Sequence, residues 1–312
     1  MRQTLRFNSR EEWLQARSEG IGASEVASIL GVSPFESAYQ LWLRKKGVTP
    51  PKEENFAMRA GHYLEDAVAS FYKDETGCTI IKSSAVDFMY VDKERPFLRV
   101  SPDRTFWKAG AAHNETNKCI LECKTTQRTI DPEDIPNHWF VQVQMNLGVA
   151  EFQTGALAWL TAARTFGQIE IPFQEDFYGM LVEEVSRFWY DNIVGGKEPE
   201  ATTVGDVVAK YIRSTEGKVV ETTPEIFAAY KDLKEVSRQI AELEEKEKSL
   251  TDALKVALQD AEVLKYEGQT LAMWKSAKNS LKFDAKRYQS EHADLCEPYM
   301  VDTVGSRRFQ VK

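Results

Sequence analysis

Asp103 and the pair Glu122 and Lys124 are the residues of this 312-residue chain best placed by type and spacing to do chemistry. In an extended strand, positions two apart share a face, so in "CILECKTT" Glu122 and Lys124 point one way and Leu121 and Cys123 the other. Upstream, "LRVSPDRTFW" is a second strand pattern, and the polar stretch "KAGAAHNETNK" between the two reads as a loop. Folding back about its centre, near Ala112 and His113, sets Asp103 beside Glu122, because each lies nine to ten residues from that centre. Carboxylates that close repel and are costly unless a cation sits between them. Two such carboxylates beside one ammonium suit a hard divalent ion, Mg²⁺ with Mn²⁺ as substitute, the lysine orienting or activating a water. Alone, a Glu-x-Lys strand is also the pattern of a solvated face, and Ser-Pro-Asp that of a turn.

The elements that must position these residues follow from periodicity. "SREEWLQARSEGIGASEVASILGVSPFESAYQLWLRKKG" gives a helix capped near Ser9, a glycine-containing turn from Glu19 to Gly22, and a second helix from Ala23 or Ser24, halted at "GVSP". Ser37 to Lys46 is a third helix. "NFAMRAGHYLEDAVASFYKDETG" is a fourth, with Met58, Tyr63 or Leu64, Val68 and Phe71 at helical spacing and Gly77 at its end. The period then changes to strands in "TIIKSSAVDFMYV", "FLRVSPDRTFW", "KCILECKTT" and "FQTGALAWLT". A helix, "NHWFVQVQMNLGV", separates the last two, and "EDFYGMLVEEVSRFWYDNIVGG" closes the series. The expected fold class is α+β, a central mixed β-sheet flanked by helices over residues 1–200. A linker over 201–224 and a C-terminal helical extension with a small hairpin over 225–312 complete the chain. In that extension Leu233, Val236, Ile240, Leu243, Leu250, Leu254, Ala257 and Ala261 hold a heptad spacing, interrupted by Glu247. A helix of roughly 35 residues is about 50 Å long. A hairpin, a further helix and the basic tail "VGSRRFQVK" follow it.

Composition narrows the function classes. With 42% hydrophobic and 28% charged residues the chain has the make-up of a soluble globular protein. No apolar run is long enough for a membrane span, and the first residues lack the apolar stretch of a signal peptide. The four cysteines, Cys78, Cys119, Cys123 and Cys296, have no C-x-x-C spacing, which fits a reducing cytoplasm and argues against a cysteine-held metal. A net charge of −8 speaks against a generally basic nucleic-acid binder and leaves room for a local basic groove.

Taken together, Pro102-Asp103 followed by Glu122-Cys123-Lys124 resembles the PD-(D/E)XK nucleases, whose fold is restriction-endonuclease-like. More narrowly, "WLQARSEGIGASEVASILGVSPF", "GHYLED", "SPD", "LECKT" and "WFVQVQMNLGV", in that order over about residues 8–195, resemble the phage-type exonucleases of the YqaJ and lambda exonuclease family. The resemblance implies that Asp103 and Glu122 are metal ligands with the backbone carbonyl of Cys123, and that Lys124 stands beside the attacking water. It implies that Glu65 helps bind the metal from a helix and that Gln142 reaches the site from another. Arg17, Ser24 and Ser101 would hold a terminal 5′ phosphate. Arginine offers bidentate donors, and Ser24 lies at a helix start. Read singly, Ser24 is also an N-cap candidate and Arg17 a surface charge. His62, one turn before Glu65, matches a histidine ligand of RecB-like relatives and is equally an ordinary, partly buried histidine. Arg104 departs from the family pattern, which has glycine there, and no cysteine cluster matches the iron–sulfur nucleases of the superfamily. The implied activity is 5′-to-3′ degradation of linear double-stranded DNA, leaving 3′ single strands for a single-strand annealing protein, by a homo-oligomer (a trimer, from the resemblance). Two other readings stay open at this point: an endonuclease of the same fold, and a non-catalytic DNA-binding or assembly module.

Overall fold

"FLRVSPDRTFW", expected as one strand, is two strands in two different sheets, and Pro102 lies at the break. The structure, a computed structural model, describes residues 2–50, 55–81, 88–162, 164–302 and 305–311. The expected strand "TIIKSSAVDFMYV" runs partly outside these, through residues 82–87.

The chain divides into a unit of residues 1–210 and a unit of residues 211–312. The first contains β1 (Arg2–Arg6), α1 (Arg10–Ser18), β2 (Ile21–Gly22), α2 (Ala23–Ile29), α3 (Ala38–Lys45) and α4 (Phe56–Thr76). Then come β3 (Thr79–Ile81), β4 (Phe88–Asp92), β5 (Leu98–Val100), β6 (Arg104–Trp107), β7 (Lys118–Thr126) and α5 (Asn137–Ala150). β8 (Thr154–Thr161), β9 (Thr165–Pro172), α6 (Glu175–Arg187), a π-helical continuation over Phe188–Val194, and α7 (Val204–Lys210) complete it. α7 falls where a linker was expected; Asp206 accepts from the Ser37 hydroxyl at 2.7 Å and is fully buried, which ties the segment to the N-cap of α3.

The main sheet runs β3-β6-β7-β8-β9, with β7 and β8 parallel and the other pairs antiparallel. Parallel neighbours need a crossover, and α5 supplies it. The sheet lies between two apolar layers. On one side Leu121, Cys123, Ala156 and Ala158 pack with Val68, Ala69 and Tyr72 of α4. On the other, Ile120, Leu157 and Trp159 pack with Val143 and Leu147 of α5. The smaller sheet, β1-β4-β5-β2, adds Phe88, Tyr90 and Leu98 to that second layer. The buried stripe of α4 is therefore Val68, Ala69 and Tyr72; of the residues expected at helical spacing with Val68, Met58, Tyr63 and Phe71 are exposed, and Leu64, the alternative to Tyr63, is half-buried.

Packing around α5 leaves no room at Gly148, where an added Cβ would lie 2.2 Å from the Tyr178 ring of α6. Gly148→Ala is expected to destabilise the protein by about 1–3 kcal/mol through overpacking. A lowered urea midpoint would show it; an unchanged midpoint would mean that Tyr178 swings clear at no cost.

In the second unit α8 (Pro224–Leu258) is N-capped by Thr223, with β10 (Val263–Tyr266), β11 (Gln269–Met273) and α9 (Ala285–Glu291) after it. Leu233, Val236, Ile240, Leu243, Leu250 and Leu254 of the heptad stripe are exposed. Among the described residues no helix is long and apolar enough to cross a membrane.

Candidate active site

The β6–β7 register pairs Arg104 with Leu121, and continuing it sets Asp103 opposite Glu122 and Pro102 opposite Cys123. Proline has no N–H and cannot extend the ladder. The Cys123 N–H donates instead to Asp103 Oδ2 at 2.8 Å. From Glu122 onward β7 is paired only with β8, so its carboxylate and its lysine lie at a gap in the sheet.

Glu122 is fully buried, and its carboxylate accepts from three side chains. Lys124 Nζ donates to Glu122 Oε2 at 3.0 Å and to Gln142 Oε1 at 2.9 Å, while Gln142 Nε2 donates to the same Glu122 oxygen at 2.7 Å. Asn146 Nδ2 donates to Glu122 Oε1 at 2.5 Å. Burial, and then the nearby Asp103 charge, push the Glu122 carboxyl up to about 8 despite the lysine. Burial opposes the charged form of Lys124, but Glu122 and Asp103 outweigh it and hold the ammonium above the usual lysine value. Lys124 is thus a donor at neutral pH.

Glu65 reaches the site from α4, on the opposite face of the sheet from α5. Burial and then the Asp103 charge push it up to about 7, against the pull of Arg104. Arg104 donates through Nη1 to Glu65 and to the Asp103 carbonyl, and through Nη2 to Asp66 Oδ1 at 2.8 Å. Among the described residues no three His, Cys, Asp or Glu side chains gather around one point as a ready ligand set. The donors nonetheless fit a hard divalent ion: Asp103 and Glu122 supply oxygens, and their mutual repulsion in a desolvated gap is what such an ion relieves. Asn146 adds a second sign, because its buried Oδ1 has no partner.

A second cluster lies at the start of α2. Arg17 Nη2 donates to the Ser24 hydroxyl at 3.1 Å, and the guanidinium sits 5.1 Å over the Trp13 ring. Trp13 Nε1 donates to Ser101 Oγ at 3.1 Å, and that hydroxyl donates to the Phe88 carbonyl at 3.0 Å. The indole therefore bridges Ser101 to the Arg17–Ser24 pair. The N-cap of α2 is Gly22, so Ser24 is not a capping residue, and its side chain is exposed. Beneath it Glu25 is buried and paired with Lys45 at 2.9 Å and Arg44 at 3.0 Å, while Lys45 also donates to the Gly20 carbonyl at 2.5 Å. That network fixes the turn that follows Arg17. Burial would raise Glu25, but the charges of Lys45, Arg17 and Arg44 hold it below the usual carboxylate range.

All the residues expected from sequence are thus brought into these two clusters except His62, which is exposed on α4 one turn before Glu65. Sequence reading missed Asn146, Trp13, Arg104 as an ion-pair partner, and His138. The histidine lies near Lys124, and burial, then that ammonium, hold it below the ordinary imidazole value. The signal was present in α5: His138, Gln142 and Asn146 recur every four residues, one polar stripe on an otherwise buried helix.

The comparisons bear on this set of residues. Residues 12–153 match the family model described as the YqaJ-like viral recombinase domain. This stretch is similar to that domain. It takes in Trp13, Arg17, Ser24, Glu65, Ser101, Asp103, Arg104, Glu122, Lys124, Gln142 and Asn146. Over nearly its whole length the chain is also similar to the uncharacterized protein YqaJ of Bacillus subtilis (strain 168): 29% identity over 315 residues, covering 97% of this chain and 94% of that one. Among solved structures it is similar to an alkaline exonuclease, LHK-Exo, from Laribacter hongkongensis (18% identity, TM-score 0.45, covering 59% of this chain and 93% of that one). A phage related exonuclease from Haemophilus somnus 129PT is similar at 11% identity and TM-score 0.40, covering 57% of this chain and 96% of that one.

Proposed function

We propose that the protein is a metal-dependent DNA exonuclease that degrades linear double-stranded DNA from its 5′ ends. The observation that carries this reading is the placement of Asp103 and Glu122 beside Lys124 at the gap where β6 stops. Asp103, Glu122 and the Cys123 carbonyl would hold Mg²⁺, or Mn²⁺ in its place, with Glu65 nearby. When bound there, such an ion would supply positive charge to the scissile phosphate and lower the pKa of the attacking water.

The chain's own residues do the rest. Lys124, held as an ammonium by Glu122 and Gln142, donates toward the charge that develops on a phosphate oxygen. Gln142 and Asn146 fix the Glu122 carboxylate so that it need not reorganise during the reaction. The water oxygen bonds to phosphorus, the bond from phosphorus to the 3′ oxygen breaks, and that oxygen takes up a proton. The end nucleotide leaves, and the strand that remains carries a new 5′ phosphate. Arg17 and Ser24, with Ser101 behind Trp13, would grip that phosphate, so each turnover creates the group that the next one recognises. In the same proposal the chain works as a homo-oligomer, a trimer by the resemblance, and leaves 3′ single strands for a single-strand annealing protein.

The test compares linear duplexes with 5′-phosphate or 5′-hydroxyl ends and a closed circular duplex, all in Mg²⁺. A charge-assisted bidentate contact contributes roughly 1.5–3 kcal/mol, so the phosphorylated end should be degraded about ten- to a hundredfold faster. Arg17→Ala should erase that difference by slowing the phosphorylated substrate alone, and the circle should stay intact. Rapid nicking of the circle would favour an endonuclease of the same fold.

A further inference from the structure

Arg104 is a charged side chain that the proposed reaction does not use, yet it sits among the carboxylates that do. It is the first paired residue of β6, only 7% exposed. Its guanidinium bonds Glu65, the Asp103 carbonyl and Asp66 together. We propose that Arg104 occupies the place of a second metal ion, so that the site takes a single divalent cation, through Asp103 and Glu122. This inference rests on the metal-dependent reading above and specifies its stoichiometry.

Three observations carry it. First, Glu65 is committed: its carboxylate pairs with a guanidinium that cannot lose its proton at any working pH. Glu65 Oε1 is thereby taken up by Arg104. Second, the charges balance at one ion. With the ion displacing their protons, Asp103, Glu122, Glu65 and Asp66 face two fixed cations, Arg104 and Lys124, which leaves two negative charges. One divalent ion cancels them. A second ion would leave a surplus in a desolvated gap, where unpaired charge is most costly. Third, pulling Glu65 toward a second ion would strip the main partner from a guanidinium that is itself nine-tenths buried, and a buried ion pair broken on one side is strongly unfavourable. Arg104 is accordingly a positioning residue: it holds Glu65 back and sets the capacity of the site.

The experiment titrates Mn²⁺ into the full chain by calorimetry and follows the bound ion by electron paramagnetic resonance. Wild type should bind one Mn²⁺ per chain with the signal of an isolated ion. Arg104→Gln keeps hydrogen-bonding capacity without the charge; it should bind two, with the signal diminished by coupling between neighbouring ions. Arg104→Lys should return the count to one. Two ions in wild type, or one in Arg104→Gln, would overturn the inference and leave the metal-dependent reading standing. No binding by wild type would overturn both. If Arg104→Gln does not fold, the wild-type count still decides.

Discussion

Asp103→Asn is expected to abolish DNA cleavage in Mg²⁺ while making the metal-free protein more stable at alkaline pH. Loss of a ligand removes the several kcal/mol that a metal supplies to the developing charge, a fall of at least about a thousandfold in rate. The stability effect has the opposite sign for a local reason. Asparagine keeps an oxygen for the Cys123 N–H but removes the charge that, after burial, most raises both Glu122 and Glu65. Both carboxyls have folded pKa values above the ordinary 4.5, at about 8 and about 7. Their stability contribution is therefore fully present below pH 4.5 and is lost as pH rises through 7 to 8. Asp103→Asn reduces that loss, so its melting temperature in EDTA should exceed wild type near pH 8 and match it near pH 4. Each 1 kcal/mol of relief shifts the midpoint by roughly 2–4 °C in a domain of this size. Thermal melts at the two pH values check it; a midpoint below wild type at pH 8 would show that Asp103 is not part of a repelling cluster.

Lys124→Ala is expected to slow cleavage by about a hundredfold or more, the scale of losing one positioned donor to a developing charge. Binding of duplex in Ca²⁺ should persist, because Asp103 and Glu122 remain. Single-turnover rates and a binding isotherm separate the two effects. Loss of binding together with the rate would recast Lys124 as an anchor for ground-state phosphate.

The residues that were legible in sequence are those whose signal is local. Glu122 and Lys124 share a face by strand alternation, and the polar loop before them fixes the antiparallel return that sets Asp103 opposite Glu122. Ser9 marks a helix start and Gly77 a helix end by their own chemistry, and both caps are found. What was not legible depends on neighbours distant in the chain. α4 was misphased because its buried stripe is Val68, Ala69 and Tyr72, chosen by the small residues Ala156 and Ala158 of β8 rather than by the largest apolar side chains. The strand β1, "RQTLR", carries no apolar alternation and exists through pairing with β4. Arg104 stood out in sequence only as a departure from the family's glycine; its hydrogen bonds to Glu65 and Asp66 of α4 come from the fold. Trp13 gave no sequence sign of bridging Ser101 to Arg17, residues more than 80 positions apart.

The central claim is that Asp103, Glu122 and Lys124 form a metal-dependent site for phosphodiester hydrolysis. Its most direct test is mononucleotide release from a uniformly labelled linear duplex, with wild type in Mg²⁺, wild type in EDTA, and Asp103→Asn in Mg²⁺. Release in the first reaction and in neither of the others is the predicted result. Release that survives EDTA or the substitution, or no release by wild type in Mg²⁺, would contradict the claim.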